Sequence, residues 1–120
     1  MKISVSSQGK DLQSTIDPRF GRARYFIIFD TETGDFIVID NNINLSAAQG
    51  AGIQTAKTIA DTGAKVVLSG NVGPKAFSVL ETAGIEVYTG VTGKVKDAID
   101  SFIKGSFKKI DKPNVEGHWI

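Results

Sequence analysis

Residues 17–24 read Asp17-Pro18-Arg19-Phe20-Gly21-Arg22-Ala23-Arg24, which places three guanidinium groups on one short, glycine-containing segment. Arginine offers a planar fork of N–H donors and keeps its charge, so a loop of this kind suits oxygen- or sulfur-bearing anions or an acidic surface. Little else in the chain has reactive character. There is no cysteine, a single histidine, and no carboxylate cluster on a plausible catalytic element. A lone arginine loop is otherwise a solvated feature, or pairs internally, with Asp17 the obvious local acid for Arg19 or Arg22.

The elements that must position this loop follow from apolar spacing. Ile3 and Val5 alternate with Ser4 and Ser6, a short strand. Tyr25-Phe26-Ile27-Ile28-Phe29 is an aromatic and β-branched run suited to a buried strand. Thr31-Glu32-Thr33-Gly34 is a turn of hairpin length, and Phe36-Ile37-Val38-Ile39 returns as a third strand. After Asn41-Asn42 the period changes. Ile53, Ala56 and Ala60, with Ile59 beside them, predict a helix ended by Gly63. Val66-Val67-Leu68 is an all-apolar strand of the parallel kind. Pro74 opens a helix carrying Ala76, Phe77, Leu80 and Ala83 and closed by Gly84. Ile85-Glu86-Val87-Tyr88 is the fifth strand. Val95, Ala98, Ile99, Phe102 and Ile103 predict the last helix, with Thr92 as its N-cap and Gly105 as its terminator.

The expected order is three strands, then helix, strand, helix, strand, helix. Right-handed crossovers place the late strands parallel to the first. The resulting fold class is α/β: a mixed five-stranded sheet of order 3-2-1-4-5 with strand 2 antiparallel, flanked by helices in three layers, the arrangement of ribonuclease H-like folds. The carboxyl ends of strands 1, 3, 4 and 5 then share one rim. There the arginine loop meets residues 41–52, Gly70-Asn71-Val72-Gly73, and residues 90–93. Three of these segments lead into helix N-termini, whose N–H groups and dipole favour negative charge. Ligands of open α/β sheets sit at this end, where the strand order reverses, here between strands 1 and 4. Ser6, Ser7, Ser69 and Asn71 are expected to flank that crevice.

The chain has 120 residues, with 41% hydrophobic and 22% charged residues and a net charge of +1, values of a single globular domain. No global field draws it to nucleic acid or to a membrane, so electrostatic attraction has to be local. The absence of cysteine excludes a disulfide scaffold and thiolate-held zinc or iron–sulfur centres. No apolar run approaches the roughly 20 residues of a membrane helix, and no apolar signal core precedes the first strand, so a cytoplasmic location is expected. Strand 1 lacks the metal-binding carboxylates of a nuclease. Gly70-Asn71-Val72-Gly73-Pro74-Lys75 is too short for a phosphate-binding P-loop and lacks its Lys-Ser/Thr ending. An enzyme is therefore not expected.

Three segments together resemble the dinitrogenase iron–molybdenum cofactor biosynthesis domain family. They are Asp17-Pro18-Arg19-Phe20-Gly21-Arg22-Ala23, Gly50-Ala51-Gly52-Ile53, and Ser69-Gly70-Asn71-Val72-Gly73-Pro74-Lys75-Ala76-Phe77. The resemblance spans residues 1–105 as one domain and leaves 106–120 as a C-terminal tail. It implies the ribonuclease H-like fold and a non-catalytic protein that holds or carries an iron–molybdenum or related thiometallate cluster, together with a protein that donates or accepts that cluster. Arg19, Phe20, Gly21, Arg22, Gly50 and Gly52 match its motif positions. Arg24, Gln49, Gly70, Asn71 and Gly73 join them as candidate cluster-binding residues on the same rim. Some relatives carry histidine at positions that here hold Arg19 and Gln49. Without imidazole or thiolate there, the expected contact is outer-sphere, by hydrogen bonds from arginines and backbone amides to an anionic cluster.

Two other classes stay open on the residues alone: a small-anion or nucleotide-binding regulatory module using the same rim, and a protein-interaction module. In the tail, Lys108, Lys109 and Lys112 read as a solvated basic run and His118 as a surface residue. Trp119 and Ile120 are expected to dock on the body or on a second subunit.

Overall fold

The computed structural model describes residues 1–45, 50–110 and 112–114, apart from the side chain of Ile43. Gln49, His118, Trp119 and Ile120 lie outside the described residues, as do the expectations attached to them. The order is β1 Lys2–Ser7, β2 Tyr25–Asp30, β3 Phe36–Asp40, α1 Asn42–Leu45, α2 Ala51–Asp61, β4 Val66–Leu68, α3 Pro74–Thr82, β5 Glu86–Tyr88 and α4 Val95–Ile103. One sheet holds all five strands in the order β3-β2-β1-β4-β5. β2 runs antiparallel to both β1 and β3, whereas β4 is parallel to β1 and to β5. The expected sheet order and the antiparallel second strand are therefore found.

Alternation along the strands sorts the core into two layers. Phe26, Ile28, Val67 and Val87 pack with Ala56 and Ile59 of α2 and Ala76, Phe77 and Leu80 of α3. Ile3, Val5, Ile27, Val66 and Leu68 pack on the other face with Val95, Ala98 and Ile99 of α4. The sheet is thus covered on both sides, which explains why the short β4 is apolar at every position.

Two local details differ from the sequence reading. A single helical turn, α1, follows β3 directly, with the amides of Asn44 and Leu45 bonded to the Asn41 carbonyl. It is too short to carry a periodic signal. The N-cap of α4 is Lys94, not Thr92, and it makes no side-chain cap bond. The reason is tertiary. The amides of Val95 and Lys96 are taken by the carbonyls of Ser14 (2.9 Å) and Leu12 (2.8 Å), so the helix start is capped by a distant backbone segment.

β1 also carries serines where apolar side chains would be expected. Ser4 and Ser6 are both fully buried on the α2/α3 face. Ser6 Oγ donates to the Asp17 carbonyl (2.7 Å) and lies 2.9 Å from Ser69 Oγ. Ser4 Oγ has no hydrogen-bond partner among the described residues. A buried hydroxyl in that state costs about 1–3 kcal/mol relative to a satisfied one. Ser4→Ala is therefore expected to raise stability by about 1 kcal/mol, read as a higher urea midpoint at unchanged slope. A fall in the midpoint would mean that the hydroxyl has a partner.

Candidate functional site

The arginine loop is pinned at its centre by Phe20. That ring is 1% exposed and meets Phe26 edge-on, with centroids 5.2 Å apart. Phe20 is thus an anchor whose burial is worth about 2–3 kcal/mol, and its side chain is withdrawn from the rim surface. Gly21 is buried beside it.

The loop crosses the ends of β1 and β4. The Asp17 amide donates to the Ser6 carbonyl (2.9 Å) and the Phe20 amide to the Asn71 carbonyl (3.0 Å). Asn71 Nδ2 returns a bond to the Pro18 carbonyl at 2.9 Å. Gly70 makes the crossing possible. A Cβ there would stand 2.6 Å from the Pro18 oxygen and 2.7 Å from its Cα, closer than any methyl tolerates. The crevice expected between β1 and β4 is therefore filled by the loop's own backbone. Ser6 and Ser69 lie buried beneath it, and Ser7 Oγ bonds to the carbonyl and amide of Gly9, so none of the three serines lines an open cleft. What remains accessible is the outer side of the loop.

The other end of the loop is held by a buried amide and hydroxyl that the sequence reading missed. The Asn41 amide donates to the Arg24 carbonyl (2.9 Å), and Asn41 Nδ2 donates to the Ala23 carbonyl (2.8 Å) and lies 3.2 Å from Thr55 Oγ1. Thr55 Oγ1 reaches the Gly21 carbonyl at 3.4 Å. Asn44 Nδ2 completes the group, 2.7 Å from Asn41 Oδ1. In sequence, Asn41-Asn42 reads as a strand terminator, and nothing local reveals that one of the pair is wholly buried.

The three arginines leave this frame in different surroundings. Arg19 is exposed, and its backbone bridges in parallel to Asn71. Arg22 is half-buried and points Nη1 at the Leu45 carbonyl, a long contact of 3.4 Å. Arg24 is exposed and stands over the Tyr25 ring at 5.3 Å, with Lys10 over the same ring at 5.4 Å. Tyr25 alternates with Phe26, so this cationic pair belongs to the α4 side of the rim. Asp17 does not neutralise its neighbours: its Oδ1 accepts the backbone amide of Arg19 at 3.0 Å. The ion pairs among the described residues, Met1 with Glu32 and Lys96 with Asp100, include no arginine.

Helix starts divide the rim in the same way. On the α4 side the amides of Val95 and Lys96 are taken as described above, and the Ile16 amide also binds the Gly93 carbonyl. On the α2/α3 side, Gly50 caps α2 with φ 77°, a left-handed conformation that suits glycine, and Gly52 is buried in the first turn. Gly73 caps α3 without any side-chain cap, and Pro74 occupies its first turn. The amides of Gly73, Lys75 and Ala76 have no acceptor among the described residues. Gly70 and Gly73 are buried and Asn71 is half-buried. The structure therefore puts the Arg19 backbone beside Asn71 just before the α3 start, Arg22 Nη1 at the Leu45 carbonyl of α1, and Arg24 over the Tyr25 ring. Tyr88, on the α4 face against Phe102, is the one described group with a clearly displaced pKa. Burial first, and then its hydrogen bond to Glu86, push the phenol up.

No group of three or more metal-ligating side chains from His, Cys, Asp and Glu occurs among the described residues. The donors that converge on the rim are guanidinium and amide N–H groups, which bind anions and not cations.

A family model described as dinitrogenase iron-molybdenum cofactor matches residues 1–105. The chain belongs to that family. A curated relative, an uncharacterized protein of Methanocaldococcus jannaschii, is 32% identical over 114 residues and covers 92% of both chains. Among solved structures, the apo form of the orange protein from Desulfovibrio gigas superposes with a TM-score of 0.93 at 38% identity, covering 95% of this chain and 96% of that one. A Thermotoga protein described as NifB-type is also 38% identical, with a TM-score of 0.79 over 90% of this chain and 91% of its own. Family and neighbours are consistent with a cluster-binding or carrier role.

The closure of the loop over Gly70 is directly testable. Gly70→Ala is expected to lower stability by about 1–3 kcal/mol through overpacking against backbone, and to shift the amide resonances of Arg19, Phe20 and Asn71. A variant as stable as the parent with unmoved resonances would show that Pro18 does not lie against Gly70.

Proposed function

We propose that this protein is a non-catalytic binder and carrier of an anionic metal–sulfur cluster, an iron–molybdenum or other thiometallate cluster or its precursor. The observation that carries the reading is the backbone bridge of Arg19 to Asn71, three residues before Pro74 of the uncapped α3, with neither Arg19 nor Arg22 in an ion pair among the described residues. Sulfide and oxide ligands of a thiometallate accept hydrogen bonds, so guanidinium forks and backbone amides hold such an anion without replacing any ligand on the metal. The cluster is cargo here, and the metal keeps its own sulfide shell. Membership of the cofactor family supports the cluster class, and a similar structure described as an apo form implies a removable group in that relative.

In this reading Arg19 and Arg22 touch cargo, with Asn71, Gly73, Gly50 and Gly52 shaping the seat. Phe20, Gly21 and Gly70 act by fixing the loop. Arg24, engaged with Tyr25, adds long-range positive potential. In the same reading the protein holds its cargo without transforming it. The sheet order and its antiparallel second strand support assignment to the ribonuclease H-like class, and the family match over residues 1–105 supports treating 106–120 as a tail. We place the protein in the cytoplasm, exchanging cargo with a donor or acceptor protein. No helix among the described residues is long and apolar enough to cross a membrane.

Reconstitution with tetrathiomolybdate, followed by desalting, visible absorption and metal analysis, is expected to give stoichiometric uptake. Arg19→Ala and Arg22→Ala should each weaken it about tenfold or more, as for loss of a hydrogen bond to a charged group. Arg24→Ala should cost about threefold or less, and that smaller loss should vanish in high salt as expected of a screened charge. Absence of uptake by the parent protein would overturn the proposal. Stabilisation by phosphate or nucleotides in place of thiometallate would assign the rim to a metal-free anion.

A further inference from the structure

Beyond α4, Lys109, Ile110 and Asn114 lie against the body. The Lys109 segment forms an antiparallel bridge with Tyr88, and the Ile110 amide donates to the Val87 carbonyl at 2.9 Å, so these residues cover the outer edge of β5. Ile110 packs against the α2/α3 core. Four residues later the chain reaches the rim. Asn114 Oδ1 accepts the Val72 amide at 2.8 Å, and Asn114 Nδ2 donates to Asn71 Oδ1 at 3.2 Å. Val72 immediately precedes the N-cap of α3, and Asn71 is the residue whose carbonyl holds Phe20 of the arginine loop. A neutral amide from 42 positions away thus supplies an acceptor oxygen to a rim N–H, which is where an oxide or sulfide of an anion would also bind.

We infer that Asn114 is a built-in competitor for the anion seat: the tail docks on the Asn71–Val72 loop of the empty protein and gives way when cargo binds. This rests on the carrier reading above. The chemistry favours an exchange. A neutral amide oxygen is a weaker acceptor than an anionic oxygen or sulfide, so cargo wins the Val72 amide without effort from the rest of the fold. Asn114 is itself exposed, so nothing but its two hydrogen bonds holds its side chain at the loop among the described residues. The bridge at Tyr88 and the seat of Ile110 lie upstream and are unaffected by release of Asn114. They keep the amide at high effective concentration for re-docking once cargo has left. The tail thereby lowers apparent affinity by the fraction of time it is docked and helps to expel cargo.

The test uses the full-length chain, tetrathiomolybdate as probe, and two substitutions of opposite sign. Asn114→Ala removes the competing acceptor and is expected to tighten uptake about three- to tenfold, the equivalent of one or two ordinary neutral hydrogen bonds. Asn114→Asp offers a charged acceptor to the same amide and is expected to weaken uptake by a similar factor. In the parent protein, the Val72 amide and the Asn114 side-chain amide resonances should shift together as probe is added, while Ile110 stays put. Equal affinities for all three chains, with the Asn114 signals unmoved during uptake, would overturn the competitor role and leave the carrier reading standing. Absence of uptake by every chain would remove the carrier reading and this inference with it.

Discussion

The contact of Pro18 with Gly70 is the constraint from which the rim follows. Two backbone segments, one leaving β1 and one leaving β4, pass so closely that no Cβ fits between them. Open α/β sheets usually leave a crevice at this point, because neighbouring connections depart to opposite faces. Here the crevice is closed by the chain itself, and hydrogen bonds from Phe20 to Asn71 and from Asn71 to Pro18 seal it. The energy of closure comes largely from Phe20, whose ring has left water for the α2/α3 core. Its neighbours stay off that core, Arg19 exposed and Arg22 half-buried against the Leu45 carbonyl. The segment becomes a ledge, with its apolar residue in the core and its charged residues beside it.

That ledge is asymmetric, and the asymmetry has an electrostatic meaning. The α4 start is stitched to the 12–16 segment, so the amides of Val95 and Lys96 are already committed to carbonyls. The α3 start is left with a glycine cap, a proline that lacks an N–H, and amides facing no described acceptor. A helix end without a polar partner is a cost in an isolated protein. It becomes an attraction for anything that brings negative charge. The same division separates Arg22 from Arg24, since Arg24 shares the Tyr25 ring with Lys10. Two cationic areas thus occupy opposite sides of one rim, and the area with open amides is the one suited to close hydrogen bonding.

Much of the architecture was legible because long-range order and local period agree. Apolar runs located all five strands, and the handedness of crossovers fixed their order in the sheet. The N-cap of α4 was not legible: Thr92 has the right chemistry, but the acceptors that satisfy the helix come from Leu12 and Ser14, some eighty positions earlier. Asn41 was invisible for a related reason. An asparagine after a strand signals a turn, yet here it is buried and holds the carbonyls of Ala23 and Arg24. The arginines were correctly placed on one loop, but the sequence carries no sign that Arg24 would lie over Tyr25. Nor could spacing show that Ser6 and Ser69, expected to line a cleft, would be sealed under Pro18. Positions whose role depends on a partner far along the chain lie beyond any periodicity.

Holding an anion by N–H groups alone has a consequence for a protein that must also give it up. A thiolate or imidazole bound to the metal exchanges by breaking a coordinate bond, which ties release to ligand protonation or to a competing ligand. Hydrogen bonds and charge pairs at a partly exposed rim exchange without that barrier, and their strength falls with ionic strength. They can also be traded one at a time for an acceptor already present in the chain. Under the carrier role proposed above, the Asn114 amide at Val72 would serve such a trade, and Arg19 and Arg22 would meet acidic groups of a receiving protein as cargo departs. In the proposed carrier, a chain without cysteine would hold such a cluster through N–H donors and leave the metal's own sulfide shell in place.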